Sequence, residues 1–144
     1  FFVLLISFID MYFIIMNIKS SKDLVEEANK TIKIMSPEEV KDSYDKGEIT
    51  LIDVRDIREL WREGTIKNSI HIPRGMLEFW LDPESPYYKK EITPEKTKVF
   101  YCASNWRSAL ATKSIQDMGF NNVCHVSGGF QAIKDEGFEI EEIE

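Results

Sequence analysis

Thr97-Lys98-Val99-Phe100-Tyr101 runs directly into Cys102-Ala103-Ser104-Asn105-Trp106-Arg107-Ser108. The first five residues are rich in β-branched and aromatic side chains and predict a strand. Cys102 to Trp106 reads as a loop, and Arg107 to Met118 as a helix that Gly119 ends. A strand that delivers a cysteine into a short loop, with a helix leaving that loop, is suited to holding an anion. Successive loop N–H groups can turn toward one point. The helix N-terminus adds about half a positive charge, and Arg107 adds a permanent full one. All three effects favour a thiolate over a thiol, and the thiolate is the nucleophile. The competing reading makes Cys102 a small buried hydrophobe. Strand, loop, arginine and helix together favour chemistry.

Outward from this segment, strand and helix patterns alternate. Thr50 to Val54 predicts a buried strand. Asp56 with Glu59 gives a capping box for a helix that ends near Gly64. Ser69 to Ile72 predicts a short strand closed by Pro73, and Gly75 to Leu81 a helical segment. Asp82 to Pro94 holds Pro83, Pro86 and Pro94 and reads mostly as loop. Asn122 to Val126 predicts a strand, Ser127-Gly128-Gly129 a turn, and the residues to about Glu136 a last helix. On the N-terminal side, Ile32 to Met35 predicts a strand. Ser36, Pro37 and Glu39 open a helix that Gly47 stops. Such alternation predicts an α/β fold, a central parallel sheet with helices on both faces. Sites in open sheets of this kind lie beyond the carboxyl ends of strands, which is where Cys102 stands.

The chain has 144 residues, enough for one domain with a real core. Its apolar fraction of 43% and charged fraction of 30% are ordinary for a globular protein. A net charge of -7 with no basic stripe argues against nucleic acid and anionic membrane surfaces as partners. Cys102 and Cys124 form no CxxC pair, and His71 and His125 show no metal-ligand spacing, so no metal site is expected. A free thiol suits a reducing cytoplasm. Phe1 to Met16 is almost wholly apolar. It is short for a bilayer span, carries Asp10, and lacks the basic start and cleavage site of a signal peptide. The expectation is that residues 1–16 are an extension upstream of the true start, with translation beginning at Met16 or Met11; a truncated membrane anchor is the rival. Residues 17–31 then form an N-terminal helical segment, with an amphipathic helix over Ser21 to Lys30, and residues 32–144 the domain.

From about Ile34 to Phe138 the chain resembles the rhodanese family. The resemblance rests on Leu51-Ile52-Asp53-Val54-Arg55, Ile70-His71-Ile72-Pro73-Arg74-Gly75, the Cys102 to Ser108 loop with Ala109-Leu110-Ala111, and Val126-Ser127-Gly128-Gly129-Phe130. Single-domain members of that family show the same order and spacing. The resemblance implies a three-layer fold and a sulfurtransferase. Cys102 would take a sulfane sulfur from thiosulfate or a persulfide donor and hand it to a thiol, protein or cyanide acceptor, with no cofactor. Arg107 would hold the donor's anionic group, and the loop residues Ala103, Ser104, Asn105, Trp106, Arg107 and Ser108 would hold the donor and the persulfide. The chain departs from the family at Thr65 and Asn68, where His and Gly are usual, and at Phe130 and Ile133, where tryptophans are frequent.

Other residues carry quieter expectations. Asp53 and Arg55 support the site as a structural ion pair. Arg74 either reaches the pocket rim or is a solvated surface arginine. Trp106 walls the pocket or forms a docking surface. Phe79 and Trp80 are expected in the core, His71 as a satisfied structural histidine, and Cys124 as a buried inert thiol with a resolving thiol as the rival. Glu139 to Glu144 is expected to be a solvated end. A monomer is the simple expectation. Two further functions compete. Cysteine phosphatases and arsenate reductases use a similar loop, but with five residues between cysteine and arginine; here there are four, and Tyr101 stands where such enzymes carry a histidine. A non-catalytic binding module typically loses the cysteine, which this chain keeps.

Overall fold

The computed structural model describes residues 7–92 and 95–144. In chain order, α1 (Phe8–Met16), α2 (Ser21–Asn29), β1 (Lys33–Met35), α3 (Pro37–Asp45), β2 (Ile49–Asp53) and α4 (Ile57–Glu63) come first. Then follow β3 (Thr65–Ile66), β4 (Ile70–His71), a 3-10 turn (Arg74–Met76), α5 (Leu77–Leu81), β5 (Thr97–Tyr101), α6 (Trp106–Asp117), β6 (Val123–Val126), α7 (Gly129–Asp135) and β7 (Ile140–Glu141).

Five strands form the main sheet in the order β1-β6-β5-β2-β4, and every neighbouring pair is parallel. The central strands are covered on both sides, so consecutive apolar residues such as Leu51-Ile52 in β2 and Val99-Phe100 in β5 are both buried. Successive side chains still point to opposite faces. Leu51, Val99, Tyr101 and Cys124 go to one core with Val40 of α3 and Phe130 and Ile133 of α7. Ile52, Phe100 and Cys102 go to the other, with Leu77 and Leu81 of α5 and Ala111 and Ile115 of α6. The capping signals form as the sequence predicts: Ser36 Oγ accepts from Glu39 N–H, and Asp56 and Glu59 make a reciprocal capping box. Helix α2 packs Val25 and Ala28 inward.

Two expectations are corrected. The acidic end is not wholly solvated, because Ile140–Glu141 pairs antiparallel with Thr65–Ile66 in a second, two-stranded sheet. Ile66 is fully buried and Ile140 packs on the core, so apolar contact holds the segment down. Gly64 makes this pairing possible: its φ is +75°, and a Cβ there would lie 2.7 Å from Glu141 O and from Ile140 Cγ2. Phe79 is the second correction. Helix α5 buries Leu77 and Leu81, which lie one turn apart, and Phe79 faces outward, 52% exposed, with its ring edge on Tyr87. Trp80 is half-buried beneath Lys89. Within α1, Phe8, Ile9, Met11 and Tyr12 are exposed; residues 1–6 of the apolar extension lie outside the described residues. Among the described residues, no helix is long and apolar enough to cross a membrane.

Candidate functional site

Strand β5 ends at Tyr101 and places Cys102 at the start of the loop, fully buried. The Ser108 N–H, in the first turn of α6, donates to Cys102 Sγ over 3.4 Å. The Ser108 hydroxyl is hydrogen-bonded to the same sulfur at 3.3 Å and to His125 Nδ1 at 2.9 Å. Ser108 and His125 are both buried, and His125 Nε2 has no hydrogen-bond partner among the described residues. Burial pushes His125 down to about 4, so the imidazole is neutral at physiological pH.

A neighbouring turn braces the loop. Asn105 takes a left-handed conformation at φ +83°, and its Oδ1 accepts from Gly128 N–H at 2.7 Å. Phe130 N–H donates to Cys102 O at 2.8 Å. Between them Gly129, at φ +66°, lies so close that a Cβ would come within 2.7 Å of Cys102 O and Ala103 C. Only glycine satisfies both the backbone angle and that approach. Around the mouth, Ala103, Ser104 and Trp106 are exposed, and Asn105 and Arg107 are half-buried.

Arg107 lays both terminal nitrogens on Glu59, Nη1 to Oε2 at 2.7 Å and Nη2 to Oε1 at 2.9 Å. Glu59 Oε2 also accepts from Asp56 N–H at 2.9 Å, so the box that caps α4 also fixes the arginine's partner. Arg107 holds the Glu59 carboxyl down at about 2, and the Glu59 hydrogen bond in turn raises Arg107, with nearby Cys102 adding to the effect.

Asp53 and Arg55 lie behind the loop. Asp53 accepts from Arg55 Nε, from its Nη2 at 2.7 Å and from Thr65 Oγ1 at 2.8 Å. Arg55 also donates to Glu63 and to Gly64 O, and its guanidinium sits 4.0 Å over the Phe130 ring. Tyr101 OH joins Thr65 and Ser69 in the same cluster, where burial raises its hydroxyl first and the Asp53 charge second. This is the structural ion pair that the sequence suggests, and it reaches the cysteine loop through Phe130.

The remaining candidates fall away from the sulfur. Arg74 pairs with Glu78, which also accepts from Ser114 of α6, so it belongs to the helical layer. His71 Nε2 is bonded to Arg55 O at 2.8 Å, as a structural histidine should be. Cys124 faces the core opposite to that of Cys102, against Met35, and burial pushes its thiol up to about 11. Among the described residues, no cluster of three or more His, Cys, Asp or Glu could hold a metal ion.

Sequence reasoning missed His125 and gave Glu59 only a capping role. The signal for His125 was the alternation in β6: if Cys124 faces one core, His125 faces the other, where Cys102 lies. The strand register, with Phe100 opposite His125, completes the placement.

Comparison with known proteins identifies the family and the fold. The rhodanese-like domain profile matches residues 36–136. A mouse protein named thiosulfate sulfurtransferase/rhodanese-like domain-containing protein 3 is 31% identical over 106 residues, covering 70% of this chain and 68% of its own. A protein of unknown function from Rhodopseudomonas palustris, described as a possible tyrosine phosphatase, superposes with a TM-score of 0.80 at 43% identity, over 85% of this chain and 95% of its own. The polysulfide-sulfur transferase homodimer of Wolinella succinogenes superposes with a TM-score of 0.66 at 32% identity, over 85% and 88%. With its parallel sheet, its cysteine loop at the end of β5 and a family profile spanning both, this chain belongs to the rhodanese-like domain family.

Proposed function

We propose that the protein is a sulfurtransferase that carries sulfur as a persulfide on Cys102. The observation that carries this reading is the pair of hydrogen bonds that join the Cys102 sulfur, buried at the start of the loop, to the Ser108 amide and hydroxyl. The Cys102 thiolate attacks the outer sulfur of thiosulfate or of a persulfide donor. A new S–S bond forms to Cys102 while the donor's S–S bond breaks, and the electron pair leaves with sulfite or a thiolate. A thiol or cyanide acceptor then attacks the outer sulfur, and the bonding pair returns to Cys102. The loop from Ala103 to Ser108 holds the outer sulfur. Arg107 is poised by Glu59 at the mouth, where its charge draws in an anionic donor. Trp106, half exposed beside it, walls the entrance or meets a protein acceptor. The two free thiols suit a reducing cytoplasm, and the working unit is taken to be a monomer.

The name given to the R. palustris protein raises phosphatase chemistry as a second reading. Against it stand the four residues between Cys102 and Arg107, a cradle better matched to one sulfur atom than to a tetrahedral phosphate. A binding module without turnover is the third. Intact mass after incubation with thiosulfate, beside Cys102→Ser, separates them. The expected result is a gain of one sulfur, reversed by cyanide and absent in the serine variant. Equal loading of the variant would refute the assignment. No loading from thiosulfate or glutathione persulfide, together with turnover of an aryl phosphate, would favour the phosphatase; neither activity would favour the module.

A further inference from the structure

The transfer just described gives His125 no task, yet its ring is one hydroxyl away from the reacting sulfur. Resting on the sulfurtransferase reading of Cys102, we propose that His125 is a positioning residue acting through Ser108. Its Nδ1–H holds the Ser108 oxygen so that the hydroxyl hydrogen points at the Cys102 sulfur.

Two proton arrangements fit the heavy atoms. In one, the Cys102 S–H donates to Ser108 Oγ, the Ser108 O–H donates to His125 Nδ1, and the imidazole proton sits on Nε2. In the other, an anionic sulfur accepts the Ser108 O–H, Ser108 Oγ accepts from Nδ1–H, and Nε2 carries only a lone pair. An anionic sulfur, thiolate or persulfide, has no proton to give, so the second arrangement is the one it requires. The surroundings of Nε2 favour the same choice. That atom is buried with no partner among the described residues, and a buried N–H without an acceptor is the rarer defect, while an under-satisfied acceptor is better tolerated. The site is therefore already arranged for the charged sulfur.

Geometry keeps the relay short and fixed. Ser108 Oγ lies 2.9 Å from Nδ1 and 3.3 Å from Sγ. Strand β6 carries His125 beside β5, and the turn that follows β6 binds the cysteine loop through Gly128 and Phe130. Because burial keeps the ring neutral until about pH 4, His125 acts as a fixed dipole: it takes no proton from Cys102 and forms no ion pair with it.

The test uses the full chain and two readouts. The first is the tautomer of His125, from long-range proton–nitrogen correlation on protein labelled with nitrogen-15 histidine. The proposal expects the proton on Nδ1; a proton on Nε2 in thiolate or persulfide-loaded protein overturns it. This readout does not depend on sulfur transfer. The second is the rate of sulfur loading from thiosulfate, followed by intact mass. His125→Leu is expected to slow loading about tenfold, the scale of one hydrogen bond to a charged group. His125→Asn, whose amide N–H can occupy the Nδ1 position, should recover most of that loss. In a Ser108→Ala background, His125→Leu should cost nothing further. A full additional loss in that background, or no recovery by a folded His125→Asn, would overturn the relay. The tautomer and the asparagine variant keep the test alive should the leucine variant fail to fold. Wild-type protein that loads no sulfur from any donor, with the Nδ1 tautomer intact, would instead overturn the sulfurtransferase reading.

Discussion

Arg55 and Arg107 each grip a carboxylate at the same end of the sheet, but their settings are opposite. The Arg55 side chain is 0% exposed, as is that of Asp53, and its donors are divided among Asp53, Glu63 and a backbone carbonyl. The Arg107 side chain is 40% exposed, and both terminal nitrogens rest on Glu59. A guanidinium sealed among fixed partners can only brace what surrounds it. One at the surface, held by a single carboxylate, keeps its plane and its charge but can also meet a ligand from solvent. The contrast separates the part of the molecule that supports the loop from the part that serves it.

The sharpest way to break this contrast is to remove a member of the sealed pair. Asp53→Ala leaves the buried Arg55 with only the half-exposed Glu63 carboxylate to balance its charge and should cost about 3 kcal/mol of unfolding free energy in urea titration. A loss below about 1 kcal/mol would mean that the cluster braces nothing. Arg107→Ala should leave stability within about 1 kcal/mol of wild type and act on the donor instead. Loading from dianionic thiosulfate should fall about tenfold or more, and loading from a neutral persulfide should fall less. Equal effects on both donors would remove Arg107 from recognition. The smallest effect concerns acid. Glu59 sits at about 2 against an ordinary 4.5, chiefly through the Arg107 hydrogen bonds. A depressed carboxyl contributes stability that is fully present above 4.5 and disappears as pH falls through about 2. Discounted for the exposure of Arg107, the contribution is about 1 kcal/mol. In Arg107→Ala that portion of the acid-side decline between pH 4.5 and 2 should vanish; an unchanged pH profile would show the pair to be energetically idle.

What the sequence made legible was what local rules encode. The run from Thr97 to Met118 announced a strand, a cysteine loop and a helix, and all three stand there, the helix starting one residue early at Trp106. Both N-caps formed, and at Asp56 and Glu59 the full reciprocal box, because a cap and its partner lie within one turn of each other. The losses were non-local. Thr65–Ile66 and Ile140–Glu141 are strands of two residues, too short to show alternation, and each exists only because the other is present. Phe79 looked like a core residue by type, yet a helix as short as α5 has one buried face, and Leu77 and Leu81 fill it. Glu59 was visible as a cap, but its bond to Arg107 joins positions 48 residues apart. His125 required the register of β6 on β5 as well as the face of the strand. The Asp53 and Arg55 pair was recoverable because its members are two residues apart.

The turn after β6 also limits what this site can become. Gly129 and Phe130 press on the backbone of Cys102 and Ala103, and Gly128 is tied to Asn105. The width of the cradle is thus written partly in a turn that follows a different strand. Inserting one residue before Arg107, the simplest step toward a loop of phosphatase length, would press the enlarged loop toward a turn where Gly129 already leaves no space for a methyl group. On the sulfurtransferase reading, a wider cradle therefore calls for changes both in the cysteine loop and in the turn after β6. The close fit of loop and turn thus ties the size of the cradle to two segments that are distant in sequence.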